Sequence, residues 1–83
     1  MPATPKHTFP TAGSARAALA ANMVAMRRAK GLSQEALALE AGLHRTFIAH
    51  VERGVRNPAL DNVERIALAL GVEAFEMLMP RGT

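Results

Sequence analysis

The chain carries 83 residues and no cysteine, enough for one small domain whose stability owes nothing to disulfides, zinc fingers or thiolate-bound metal. Hydrophobic residues make up 49% of it, with alanine abundant and tryptophan and tyrosine absent, so helices are favoured over strands; recurring Arg, Lys and Glu exclude a bilayer-spanning apolar run. Ten basic against seven acidic residues give a formal charge of +3, which permits a polyanionic partner without demanding one.

Residues 1–14 carry proline, threonine and glycine in place of an apolar run, so they read as a flexible arm and not as a secretory signal. The first helix runs from about Ala15 to Lys30. Leu19, Met23 and Met26 fall on one buried face, and the cations at its C-terminal end suit the macrodipole. Beyond Gly31 a short second helix starts at Ser33, whose hydroxyl can cap a backbone amide; Glu35 occupies the first turn, and Leu37, Ala38 and Ala41 face inward. After a turn at Gly42-Leu43, a third helix from about Arg45 to Arg53 presents Ile48 and Val51 inward and its remaining positions outward. A loop from Gly54 ends at Asn57-Pro58. Leu60, Val63, Ala67 and Leu70 then mark a fourth helix, with Asp61 and Glu64 near its start and Gly71 after its end. A fifth, from about Glu73 to Met79, is expected to return Phe75 and Leu78 to the bundle before Pro80 stops it.

The chain thus divides into an arm at 1–14, an all-α domain at 15–79 and a short tail at 80–83, without internal repeats. Arg27, Arg28, Lys30, Arg45, Arg53 and Arg56 fall in its middle, whereas Asp61, Glu64, Glu73 and Glu76 dominate the C-terminal third, so one end of the fold is expected to be electropositive. The lack of cysteine suits a reducing, cytoplasmic compartment.

The segment from Ser33 to Arg53, two short helices joined by a glycine-containing turn, has the spacing of a helix-turn-helix whose second helix can lie in the major groove. The same spacing also occurs in helical bundles that meet no DNA. The runs Gly31-Leu32-Ser33-Gln34-Glu35-Ala36-Leu37-Ala38, Ala41-Gly42-Leu43 and Ile48-Ala49-His50-Val51-Glu52-Arg53-Gly54 resemble the Cro and phage-repressor (Xre) family. The likeness continues through Arg56-Asn57-Pro58-Ala59-Leu60 and Ile66-Ala67-Leu68-Ala69-Leu70-Gly71-Val72, covering roughly residues 19 to 79. Within that family, His44-Arg45-Thr46-Phe47-Ile48 and Val51-Glu52-Arg53-Gly54-Val55-Arg56-Asn57 resemble the small controller proteins of restriction-modification systems. The resemblance implies a five-helix, lambda-repressor-like domain. It also implies a transcription regulator, repressor or activator, that binds a pseudo-palindromic operator as a homodimer and blocks or recruits RNA polymerase.

Residue roles follow from the same resemblance and can be weighed against their chemistry. Arg45, Thr46 and His50 occupy the base-reading positions of helix 3. An arginine there can donate two bonds to guanine; a threonine meets a thymine methyl or a phosphate oxygen; a histidine donates to a base or phosphate, or is plain surface. Ser33, beside its capping role, and Gln34, which corresponds to a phosphate-contacting glutamine, are the phosphate candidates at the start of helix 2, with a solvated polar residue as the alternative for Gln34. Arg53 and Arg56 fall where relatives touch the flanking backbone, with generic solvated charge as the alternative. His44 takes the cap position of helix 3 but lacks the short oxygen acceptor that capping chemistry wants, which leaves it a phosphate neighbour. Phe47 wedges against the sugar-phosphate backbone or a thymine methyl, or covers helix 2.

Arg27 and Glu52 align with a structural ion pair that holds helix 3 against helix 1. Met77, Leu78 and Met79 either form the dimer seam or finish the monomer core, and Leu39 stands where relatives tend to carry a polar residue. His44 and His50 lie about 120° apart around a helix and cannot clamp one metal, so neither metal nor cofactor is expected. No nucleophile-base set, phosphate loop or carboxylate pair points to an enzyme. An antitoxin using the same fold is the alternative function, with the arm at 1–14 as its sole candidate toxin-binding segment, although that arm lacks an amphipathic pattern.

Overall fold

The computed structural model describes residues 14–81, and these hold five helices. They are α1 (Ser14–Ala29), α2 (Gln34–Ala41), α3 (Arg45–Glu52), α4 (Leu60–Leu70) and α5 (Ala74–Met77). The arm expected at 1–14 lies outside the described residues except for Ser14, which opens α1, and so do residues 82 and 83 of the tail.

Ser33 caps α2 as its chemistry allows, its Oγ accepting from the Ala36 N–H at 3.0 Å. Gly42 ends that helix at φ +72°, a conformation that a β-carbon disfavours. From there the Leu43 N–H reaches back to the Ala38 carbonyl at 2.9 Å, closing the helix and turning the chain into α3 within three residues.

α1 packs on α3 and α5, α2 on α3 and α4, and α4 on α5. Their shared core contains Leu19, Met23, Leu37, Ile48, Val51, Val63, Ile66, Leu70 and Met77, all buried. These are the inward positions of each periodic segment, and fully burying one such side chain stabilises the fold by roughly 1.5–3 kcal/mol.

The C-terminal segment departs from expectation. α5 is four residues long and ends at Met77, not near Met79. The cause is Asn22, buried in α1, whose Nδ2 donates to the carbonyls of Met77 at 2.7 Å and Met79 at 2.8 Å, while its Oδ1 accepts from Arg81 Nη1 at 3.1 Å. Those carbonyls are satisfied by a side chain of another helix and need no further helical turn. The clasp also fixes the rotation of α5. Met77 enters the core fully buried, whereas Phe75, expected inside, is 63% exposed and Leu78 stays at the surface. Met77 is thereby removed from the proposed dimer seam, because a side chain enclosed in the monomer has no surface to offer a partner.

Candidate nucleic-acid interface

α3 advances about 100° per residue, so burial of Ile48 and Val51 turns the opposite side outward. On that side Arg45, Thr46 and Arg53 are exposed, with Ala49 and His50 half-buried among them. The three expected base-reading residues, Arg45, Thr46 and His50, therefore share one accessible surface. His44 precedes them, exposed and without a side-chain cap bond, in keeping with its lack of a short acceptor.

The angle of this surface is set by a buried network at the far end of α3. Arg27 grips Glu52 with two bonds, Nε to Oε2 at 2.6 Å and Nη2 to Oε1 at 3.0 Å, and its Nη1 donates to the Leu32 carbonyl at 2.9 Å. The two side chains are only 10% and 5% exposed. The bond to Glu52 raises the arginine's proton affinity above its ordinary value, against the opposing effect of burial. Gln34 completes the network by donating Nε2 to Glu52 Oε1 at 2.9 Å. One of the two amide hydrogens expected to meet phosphate is thus committed inside the protein, a role that local sequence does not reveal. α1, the start of α2 and the end of α3 are locked together through one carboxylate.

Among the described residues this is the one ion pair, so Arg45, Arg53 and Arg56 present uncompensated positive charge. Ser33, whose Oγ accepts within its cap, keeps its hydroxyl hydrogen beside the amides that open α2. Phe47 is half-buried against the core, and the guanidinium of Arg56 lies over its ring, 5.3 Å from the centroid. Both line an open depression with His44, Thr46 and His50, and there Asn62 of α4 joins them. Asn62 was missed because the α4 pattern marks only its core-facing stripe; its position one residue before buried Val63 was the available signal.

Leu78 and Met79 are exposed at 37% and 52%, and larger apolar exposure appears at Leu60 (66%), Leu68 (82%) and Phe75 (63%) of α4 and α5. Leu39 projects from α2 at 82% exposure. Among the described residues no group of three or more His, Asp or Glu side chains is placed to hold a metal ion, and no helix is long and apolar enough to cross a membrane.

Comparison with known proteins agrees with this geometry. The helix-turn-helix family model HTH_3 matches residues 24–77. A hypothetical transcription factor from Neisseria meningitidis serogroup B is 52% identical over 65 residues, covering 78% of this chain and 61% of that protein. Control protein C.BamHI from Bacillus amyloliquefaciens is 55% identical over 47 residues, covering 57% of this chain and 58% of its own. The chain therefore spans about three fifths of the length of these two relatives. The crystal structure of the restriction-modification controller protein C.AhdI from Aeromonas hydrophila superposes with a TM-score of 0.72 at 42% identity, covering 75% of this chain and 94% of that one. The chain belongs to the HTH_3 helix-turn-helix family, of the Cro and phage-repressor (Xre) type, and within it resembles the restriction-modification control proteins.

Proposed function

We propose that the protein is a sequence-specific regulator of transcription that places α3 in the major groove of duplex DNA and binds a pseudo-palindromic operator as a homodimer. The observation that carries this reading is the outward row of exposed Arg45, Thr46 and Arg53 with half-buried His50 among them, on a helix whose inner side is anchored in the core and whose end is held by Glu52. Arg45 donates to guanine O6 and N7, and Thr46 and His50 read neighbouring base edges or phosphate. Ser33, the free amide hydrogen of Gln34, His44, Arg53 and Arg56 meet the flanking backbone, which fixes register and supplies most of the affinity.

One α3 reads few base pairs, so a second copy is needed to place a second α3 roughly 34 Å away. The apolar surface of α4 and α5, with Leu60, Leu68, Phe75, Leu78 and Met79, is the seam for that copy. The relatives named as a transcription factor and as a control protein support a regulatory output; that this output is cytoplasmic, runs through RNA polymerase and needs neither a cofactor nor chemistry of its own is part of the proposal.

Selection of bound sequences from random duplexes tests the whole proposal. A two-fold symmetric motif is expected, and affinity for it should fall with salt at a log-log slope of roughly −5 to −7 for a dimer neutralising about three or four phosphates per subunit. No enriched sequence, or a slope near zero, refutes DNA binding as the function.

A further inference from the structure

We infer that Phe47 is a positioning residue for Arg56: the ring holds the guanidinium at the edge of the reading surface, and the two act on backbone phosphate as one unit. The inference rests on the DNA-binding reading of α3. Arg56 belongs to the segment between α3 and α4, where no helical turn restricts its side chain, and it is exposed. A long cation in such a place must lose many rotamers when it meets a phosphate, and that loss subtracts from the contact.

Here the guanidinium already lies 5.3 Å from the centroid of the Phe47 ring, inside the range of cation–π attraction. Phe47 in turn has little freedom, because it sits on α3 beside fully buried Ile48 and packs against the core. The place of Arg56 is therefore set by α3, the helix that carries Thr46 and His50, and not by its own loop. Cation–π attraction to the ring consumes no hydrogen-bond acceptor, and the guanidinium keeps its fork of N–H donors, which is what matches a phosphate. Thr46, His50, Arg56 and Asn62 border one depression, so those donors stand on the side of the molecule that the reading residues occupy. Phe47 contributes to binding through Arg56, without touching DNA.

The test uses three substitutions and one duplex, labelled and carrying the sequence that the unaltered protein enriches from random DNA. Phe47→Leu keeps an apolar group against the core and removes the ring face; Phe47→Tyr keeps the face. F47L is expected to weaken binding about two- to fivefold per subunit, the worth of an exposed cation–π contact. F47Y is expected to bind as the unaltered protein does, and F47L added to R56Q to cause no further loss.

In the free protein, the Arg56 side-chain protons should sit upfield under the ring current and move downfield in F47L but not in F47Y, a readout that loss of stability does not imitate. Equal loss from F47L in both backgrounds, or Arg56 resonances that stay put, overturns the inference. Failure of the unaltered protein to enrich any sequence overturns the DNA reading instead, and with it the phosphate half of this one, while the resonances still decide whether the ring holds Arg56.

Discussion

Glu52→Ala removes the carboxylate on which three segments converge, and its cost can be worked from the contacts. The arginine loses two charge-assisted bonds and keeps only the one to Leu32, and the Gln34 amide loses its acceptor. Breaking a fully enclosed pair by deleting one partner costs about 3–5 kcal/mol. The Arg27 side chain is 10% exposed and can find some water at that edge, so about 2–4 kcal/mol is expected here. For a domain of this size that lowers Tm by about 8–30 °C.

The assay is urea and thermal unfolding followed by circular dichroism at fixed protein concentration, since the proposed self-association would couple concentration to stability. The proton affinity of Arg27 is raised in the folded state, so its contribution is complete at every pH below the ordinary arginine range and is lost only as pH rises through the higher folded value. Alkaline conditions short of that range should leave the difference between variant and parent unchanged. Replacing both partners with apolar residues, Arg27→Met with Glu52→Leu, should recover much of the stability without restoring DNA affinity, because packing returns but the angle of α3 is no longer set. A Glu52→Ala protein within about 0.5 kcal/mol of the parent, the scale of an ordinary surface substitution, refutes the claim that this network holds the helix.

Three further outcomes follow from other parts of the fold. Met77→Ala should cost about 2–5 kcal/mol in denaturant unfolding, whereas Leu78→Ala should leave unfolding of the monomer nearly unchanged and weaken self-association in sedimentation equilibrium. Gly42→Ala should destabilise by about 1–2 kcal/mol from backbone strain alone, since the added carbon lies no closer than 3.5 Å to its nearest neighbour, Arg65 Nη1; an asparagine there should cost less. Arg45→Ala should leave Tm in place and relax discrimination at one operator position by about 1–3 kcal/mol, read by repeating the selection with the variant.

Much of the architecture was legible because its signals are local. Ser33 and Gly42 mark the ends of α2 through chemistry that acts within four residues, and Leu19 with Met23, or Ile48 with Val51, declare an inward face by spacing alone. The outward position of Arg45 and Thr46 follows from the same spacing, and the missing cap bond at His44 from a side chain without a short oxygen acceptor. The Arg27–Glu52 pair was anticipated by resemblance, not by pattern, since nothing within either helix points across 25 residues of chain.

Sequence by itself determined the first four helices, the turn between α2 and α3, and which side of α3 is free, because hydrophobic period, caps and left-handed glycine are properties of short stretches of chain. Only the tertiary structure decided that Met77 and not Phe75 enters the core, that Gln34 gives an amide hydrogen to Glu52, that Asn62 lines the depression beside Thr46 and His50 and that Arg56 lies over Phe47. The physical reason is common to all four. A four-residue helix has too few turns to fix its own rotation, and the partners of a long polar side chain are chosen by which helices happen to converge, as Asn22 of α1 shows by clasping carbonyls 55 and more residues away.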